Sequence, residues 1–186
     1  MPQRTVPGTN IEYDGNNGMF SLFQPLIKAT DGLTLGQVCT ITGLEASTVQ
    51  NWVKRGFVAR PVNKKYRERQ LARILLISSL RDCMKIDNIG SLMKAINGNA
   101  NDESDDIISE EKLYDYFCEI LSEIDIKKPD TDDVKAIVEG VVKNYRMQDK
   151  NAYLRLRDAL TVMTLTYIAS RYKREADSLL EHLLEG

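Results

Sequence analysis

A chain of 186 residues, 42% apolar and 28% charged, is long enough for one large or two small folded domains and is not composed like a disordered protein. A net charge of −2 excludes a uniformly basic polyanion binder. One histidine and three widely spaced cysteines exclude a histidine cluster, a disulfide framework and a C-x-x-C zinc site.

The charge is unevenly distributed. Residues 31–96 carry 11 Lys/Arg against 5 acids, whereas residues 101–133 carry 13 acids against 3 lysines. A local basic footprint hidden by a neutral average is the pattern this predicts. No charged segment followed by an apolar stretch opens the chain, and no apolar run reaches the ~18 residues of a membrane span, so the reading is cytoplasmic.

In chain order, residues 1–30 read as an irregular arm. Pro2, Pro7, Gly8, Gly15 and Gly18 punctuate its first part, and residues 19–29 allow one short helix around Pro25. Residues 31–100 read as a compact helix-turn-helix unit with a basic wing. Leu35, Val38 and Cys39 give a short amphipathic helix over 35–42, stopped by Gly43, and a second helix follows over 46–55 with Gly56 beyond it. In that second helix Val49, Trp52 and Val53 share the inward face. The same period puts Ser47, Gln50, Asn51 and Lys54 together on the outside, with Thr48 and Arg55 beside them. Residues 61–67, with Asn63, Lys64, Lys65 and Arg67, suit a tight strand–turn wing, and helices are predicted over 71–80 and 86–96.

Residues 97–106, polar and acidic, read as a solvated linker. They lack the D-x-D-x-D-G spacing of a calcium loop. A helical domain is then predicted over 107–186. Ser109 caps its first helix, Pro129 and Asp130 open a second, and residues 151–184 form a long helix that is apolar nearly all round in its middle. The fold class expected is mainly α: a winged helix-turn-helix with a small β-wing, plus a helical bundle.

The segments T-L-G-Q-V-C (34–39), T-G-L (42–44), S-T-V (47–49), Trp52, G-F-V (56–58) and K-K-Y-R (64–67) carry a resemblance. So does the later I-x-x-L-M-K-x-I pattern (89–96). Together they resemble the winged-helix domain of MerR-type transcriptional regulators. More closely, the run from Asn51 to Arg67 with I-L-L-I-S-S-L-R (74–81) is similar to an uncharacterised, DUF-type family of Gram-positive bacterial proteins. The resemblance implies the fold of the middle third. Gln50-Asn51 replaces the Arg-Tyr pair usual in MerR recognition helices, and no metal-binding cysteine loop is present, so no metal- or drug-sensing role carries over.

The function expected is sequence-specific binding of double-stranded DNA by a transcriptional regulator. Helix 46–55 would enter the major groove, with Gln50 and Asn51 positioned to pair with adenine and Lys54 with guanine or a phosphate. The DNA-contacting set comprises Ser47, Thr48, Gln50, Asn51, Lys54, Arg55, Asn63, Lys64, Lys65 and Arg67. Eight cations between residues 54 and 73, against the single acid Glu68, point to phosphate contact. The alternative is a protein-interaction adaptor that keeps the fold without using it on DNA. Trp52 and Tyr66 read as core, and Cys83 and Cys118 as small apolar fillers. His182 stands alone beside Glu181 and Glu185, and no nucleophile–base pair, phosphate loop, metal site or cofactor motif is visible, so no enzyme is expected. A homodimer through the later helices is expected, because palindromic sites reward two-fold symmetry.

Overall fold

The computed structural model describes residues 4–13, 19–124, 129–143, 145 and 149–185. It is mainly helical. A two-residue antiparallel ladder pairs β1 (Arg4–Thr5) with β2 (Glu12–Tyr13). A 3₁₀ turn at Met19–Leu22 then leads to α1 (Gln24–Ala29), with Pro25 in its first turn, where the missing N–H costs nothing. Next come α2 (Leu35–Thr42), α3 (Ala46–Lys54), α4 (Glu68–Leu80) and α5 (Ile86–Asn97). The last three are α6 (Glu110–Glu123), α7 (Thr131–Val142) and α8 (Lys150–Glu185).

The helix boundaries follow local chemistry. Thr34 and Gln37 form a reciprocal capping box at α2: the Thr34 hydroxyl accepts from the Gln37 N–H at 3.3 Å, and the Thr34 N–H donates to Gln37 Oε1 at 2.8 Å. Gly43 ends α2 with φ 68°, a left-handed cap that a side chain would strain, and a Cβ there would also strike Asn10. Ser109 caps α6 and Asp130 caps α7, as their positions in the sequence predict.

The core is built around α4. Between Gln70 and Leu80 only Ser78 escapes full burial, and α6, α8, α5 and α2 all pack against the helix. Each buried Leu or Ile there is worth about 1.5–3 kcal/mol of transfer free energy. One continuous apolar cluster joins Val38 of α2 and Val49 and Trp52 of α3 to Leu113 and Phe117 of α6 and Leu160 of α8.

Two expectations change here. The arm is anchored rather than loose: Val6 is fully buried, and the Tyr114 hydroxyl donates to the Pro7 carbonyl at 2.7 Å. Nothing local foretells this, because the partner lies on α6. The acidic stretch before α6 is likewise tied down. Arg69 holds Asp106 at 2.5 Å and the Asp102 carbonyl at 3.0 Å, and Asn97 is buried. Cys118 is a buried filler, whereas Cys83 is exposed.

Beneath that stretch, Arg73 on α4 and Glu110 on α6 form a buried ion pair, and Arg73 Nε also donates to the Phe57 carbonyl at 3.0 Å. Burial pushes the Glu110 carboxyl above the usual carboxylate range, against the pull of Arg73. Arg73→Ala leaves Glu110 buried without its counter-ion and should cost about 3–5 kcal/mol. The double variant Arg73→Met/Glu110→Leu should recover most of that loss. Urea unfolding midpoints for the two variants check both statements, and equal losses would show that the pair is not the source.

Candidate nucleic-acid interface

The inward face of α3 is fixed by Val49 and Trp52, which are buried in the common core, with α2 packed alongside the helix. A helix so pinned must present its other side to solvent. Ser47, Gln50, Asn51 and Lys54 are all exposed, and Thr48 is half-buried at the edge. Among the described residues none of these four exposed side chains has a hydrogen-bond or ion-pair partner. Three amide- or hydroxyl-bearing side chains and an ammonium therefore share one unobstructed face.

Arg55, just past α3, is placed differently. Its guanidinium meets Asp87 of α5 at 2.5 Å and lies over the Phe57 ring, 4.6 Å from the centroid. Phe57 reaches this position because residue 90 of α5 is glycine; a Cβ there would run into the ring.

Residues 61–67 form a two-residue hairpin turn rather than a β-wing. Val62 and Lys65 exchange backbone hydrogen bonds of 3.1 and 2.9 Å, and Tyr66 bridges to Leu33 at 2.7 Å in both directions. The chain is too short between these bridges to extend a ladder. Asn63 and Lys64 occupy the turn with φ of 51° and 61°, the two positive values that a tight hairpin of this hand requires. Asparagine tolerates that region. Lysine does so at a cost of about 1–2 kcal/mol.

Both turn residues are exposed, and Lys64 has no partner among the described residues. Lys65 is half-buried, donating to the Thr30 and Gly32 carbonyls at 3.2 and 3.3 Å, so its charge serves partly as a strut. Arg67 is exposed and meets Asp31 at 2.9 Å. At the surface such a pair is worth little and is readily exchanged. The turn is thus fastened to the residues before α2, and no hydrogen bond or ion pair joins it to the outer face of α3 among the described residues.

The basic count therefore shrinks in three dimensions. Arg69 and Arg73 point inward to Asp106 and Glu110 and are unavailable to any ligand. Arg60 stays exposed. The neutralising partners Asp31, Asp87 and Asp106 are 36, 32 and 37 residues from their arginines, too far for any local pattern to signal. Tyr66 is core, as its spacing suggests, and burial raises its hydroxyl pKa. No described helix is long and apolar enough to cross a membrane.

Residues 31–117 match the family described as Domain of unknown function (DUF1836), just under half of the chain. The matched stretch begins before α2 and runs through the tied acidic segment into α6, so it includes both partners of the Arg73–Glu110 pair. The chain is also similar to the uncharacterized protein YkrK of Bacillus subtilis (strain 168). They share 26% identity over 161 residues, covering 78% of this chain and 69% of the relative. These likenesses support an uncharacterised family of Gram-positive type. No solved structure matches significantly.

The strain at Lys64 gives a direct test of what holds the turn. Lys64→Gly should raise stability by about 0.5–1 kcal/mol, the relieved left-handed penalty less the greater backbone entropy of glycine. A shift of the urea midpoint to higher concentration, with unchanged slope, is the expected reading. A lower midpoint would mean that the lysine side chain itself stabilises the hairpin.

Proposed function

We propose that the chain is a cytoplasmic, sequence-specific DNA-binding regulator whose segment 31–100 acts as a winged helix-turn-helix. In this reading α3 enters the major groove. The reduced wing at residues 62–65 lies along a neighbouring stretch of backbone, with Lys64 placing a cation on a phosphate. Gln50 and Asn51 read base edges, each able to pair bidentately with adenine, and Lys54 takes guanine or a phosphate. Ser47 and Thr48, at the start of α3, sit where small hydrogen-bonding groups meet the backbone.

The observation that carries this reading is the unpartnered outer face of α3. A helix held rigidly by a tryptophan and a valine, with four exposed polar or cationic side chains left unpaired, is pre-organised for an external polar ligand. The lysine kept at a strained turn position points the same way: strain tolerated where glycine would serve better follows from a use for the side chain. Arg55 and Arg67, each facing a carboxylate, add charge only by exchanging that partner for a phosphate.

Fluorescence anisotropy with a random duplex at low salt tests the proposal. About four phosphate contacts give a slope of log K against log salt near −3.6, which is roughly a 100-fold loss between 50 and 200 mM. Lys54→Ala/Lys64→Gly should weaken binding and make the slope shallower by about 1.8. On a duplex selected from a random pool, Gln50→Ala and Asn51→Ala should each lose about 1–3 kcal/mol of discrimination and leave random-duplex binding unchanged. No binding at ten-micromolar protein would overturn the DNA reading and favour the adaptor.

A further inference from the structure

Four arginines between residues 54 and 73 meet a carboxylate, and they do so in two different ways. Arg69 and Arg73 reach inward to Asp106 and Glu110, and those pairs hold the core together. Arg55–Asp87 and Arg67–Asp31 stand in solvent, with the carboxylate the more exposed member of each pair. The side chains are 39% and 74% exposed in the first pair, 51% and 83% in the second. Among the described residues neither carboxylate has a hydrogen-bond or ion-pair partner besides its arginine.

Each surface pair is built on a frame that does not depend on the pair itself. The Arg55 guanidinium lies over the Phe57 ring, and Phe57 fills the space beside Gly90. Asp31 is held by its neighbours: Lys65 Nζ reaches the Thr30 and Gly32 carbonyls on either side of it, and the Gly32 N–H donates to the Ile27 carbonyl at 2.8 Å. The backbone of Asp31 takes φ 48°, a left-handed conformation for which glycine is the default residue. Stability does not account for these pairs. An exposed ion pair contributes little, and Asp31 sets backbone strain against that small gain. Asp87 suits the first turn of α5 whatever its partner, but that position does not call for an arginine 32 residues away.

We propose that Asp31 and Asp87 are resident stand-ins for phosphate, carboxylates that occupy Arg67 and Arg55 in the free protein and are displaced when the arginines take the DNA backbone. The inference rests on the DNA reading and deepens it by naming the residues that set its affinity. Carboxylate and phosphate oxygens compete for the same guanidinium N–H groups. A phosphate arriving at either arginine breaks the pair and leaves an aspartate beside a second anion. Each exchange therefore yields less than an unopposed arginine would. Lys54 and Lys64, exposed and without a partner among the described residues, supply the unopposed attraction. The two opposed arginines border them, Arg55 directly after α3 and Arg67 at the foot of the turn. Because these contacts are to phosphates, the two carboxylates act on a duplex of any sequence.

Anisotropy titrations of the full chain with a random duplex at one fixed salt concentration test it. Asp31→Asn and Asp87→Asn should each bind about three- to fivefold tighter than the wild type, the factor that an exposed ion pair is able to withhold. Thermal midpoints should stay in place, since asparagine tolerates the left-handed backbone at position 31 and both sites are exposed. The gain should vanish where the arginine is absent: adding Asp87→Asn to Arg55→Gln, or Asp31→Asn to Arg67→Gln, should leave affinity nearly unchanged. Asparagine variants that bind no tighter, or a gain that persists without the arginines, would overturn the stand-ins and leave the DNA reading intact. Failure of both the wild type and the double asparagine variant to bind at ten-micromolar protein would overturn the two together. A double variant that binds where the wild type does not would uphold the stand-ins and overturn only the reading of the wild type as a DNA-binding regulator.

Discussion

Helix α4 is the element against which the other parts are placed, and its burial on nearly every side is the constraint that organises the molecule. A helix enclosed in that way can carry a charge only if the charge is answered from within. Arg73 meets this condition through Glu110 of α6 and the carbonyl of Phe57. One side chain thereby links the loop after α3, the central helix and the start of the later helices. The apolar cluster runs across the same boundary without a break. The acidic stretch at 101–106 thus works as a tied connection between helices that share a core, with Arg69 drawing Asp106 down onto α4.

This arrangement also decides what is left for the surface. Two arginines that a linear count assigns to a basic patch are consumed inside, and two more face carboxylates brought in from 32 and 36 residues away. Of the eight cations between residues 54 and 73, those left exposed and without a side-chain partner among the described residues are Lys54 on the outer face of α3, Arg60, and Lys64 at the tip of the turn. The capping box at Thr34 and the left-handed Gly43 set the angle between α2 and α3, and Trp52 locks α3 against rotation. Orientation of that face is therefore a product of packing, while its chemistry is a product of the residues placed there.

Much of the architecture could be read from the chain alone. Apolar residues at three- and four-residue spacing, interrupted by Gly43 and Gly56, mark α2 and α3, and Ser109 and Asp130 mark the starts of α6 and α7. The periodicity is local, so it survives without knowledge of the partner surface. The β-wing did not follow from its residues: Val62 to Lys65 closes on itself in a two-residue turn, and its flanking residues find only single bridges. The anchoring of Val6 and Pro7 was equally hidden, since a proline- and glycine-rich stretch looks the same whether or not a tyrosine on α6 is waiting for its carbonyl.

The sequence by itself determined that the chain is mainly helical, which face of α3 turns inward, and which side chains the opposite face offers. It could do so because helical periodicity and capping act over three or four residues. Only the tertiary structure decided which of the cations stay free, that the arm and the acidic stretch are part of the folded body, and that Leu179, Leu180, Leu183 and Leu184 at the end of α8 stay uncovered. Those outcomes depend on pairings between groups tens of residues apart, and the strength of a charge or an apolar stripe as a signal depends on what the fold sets beside it.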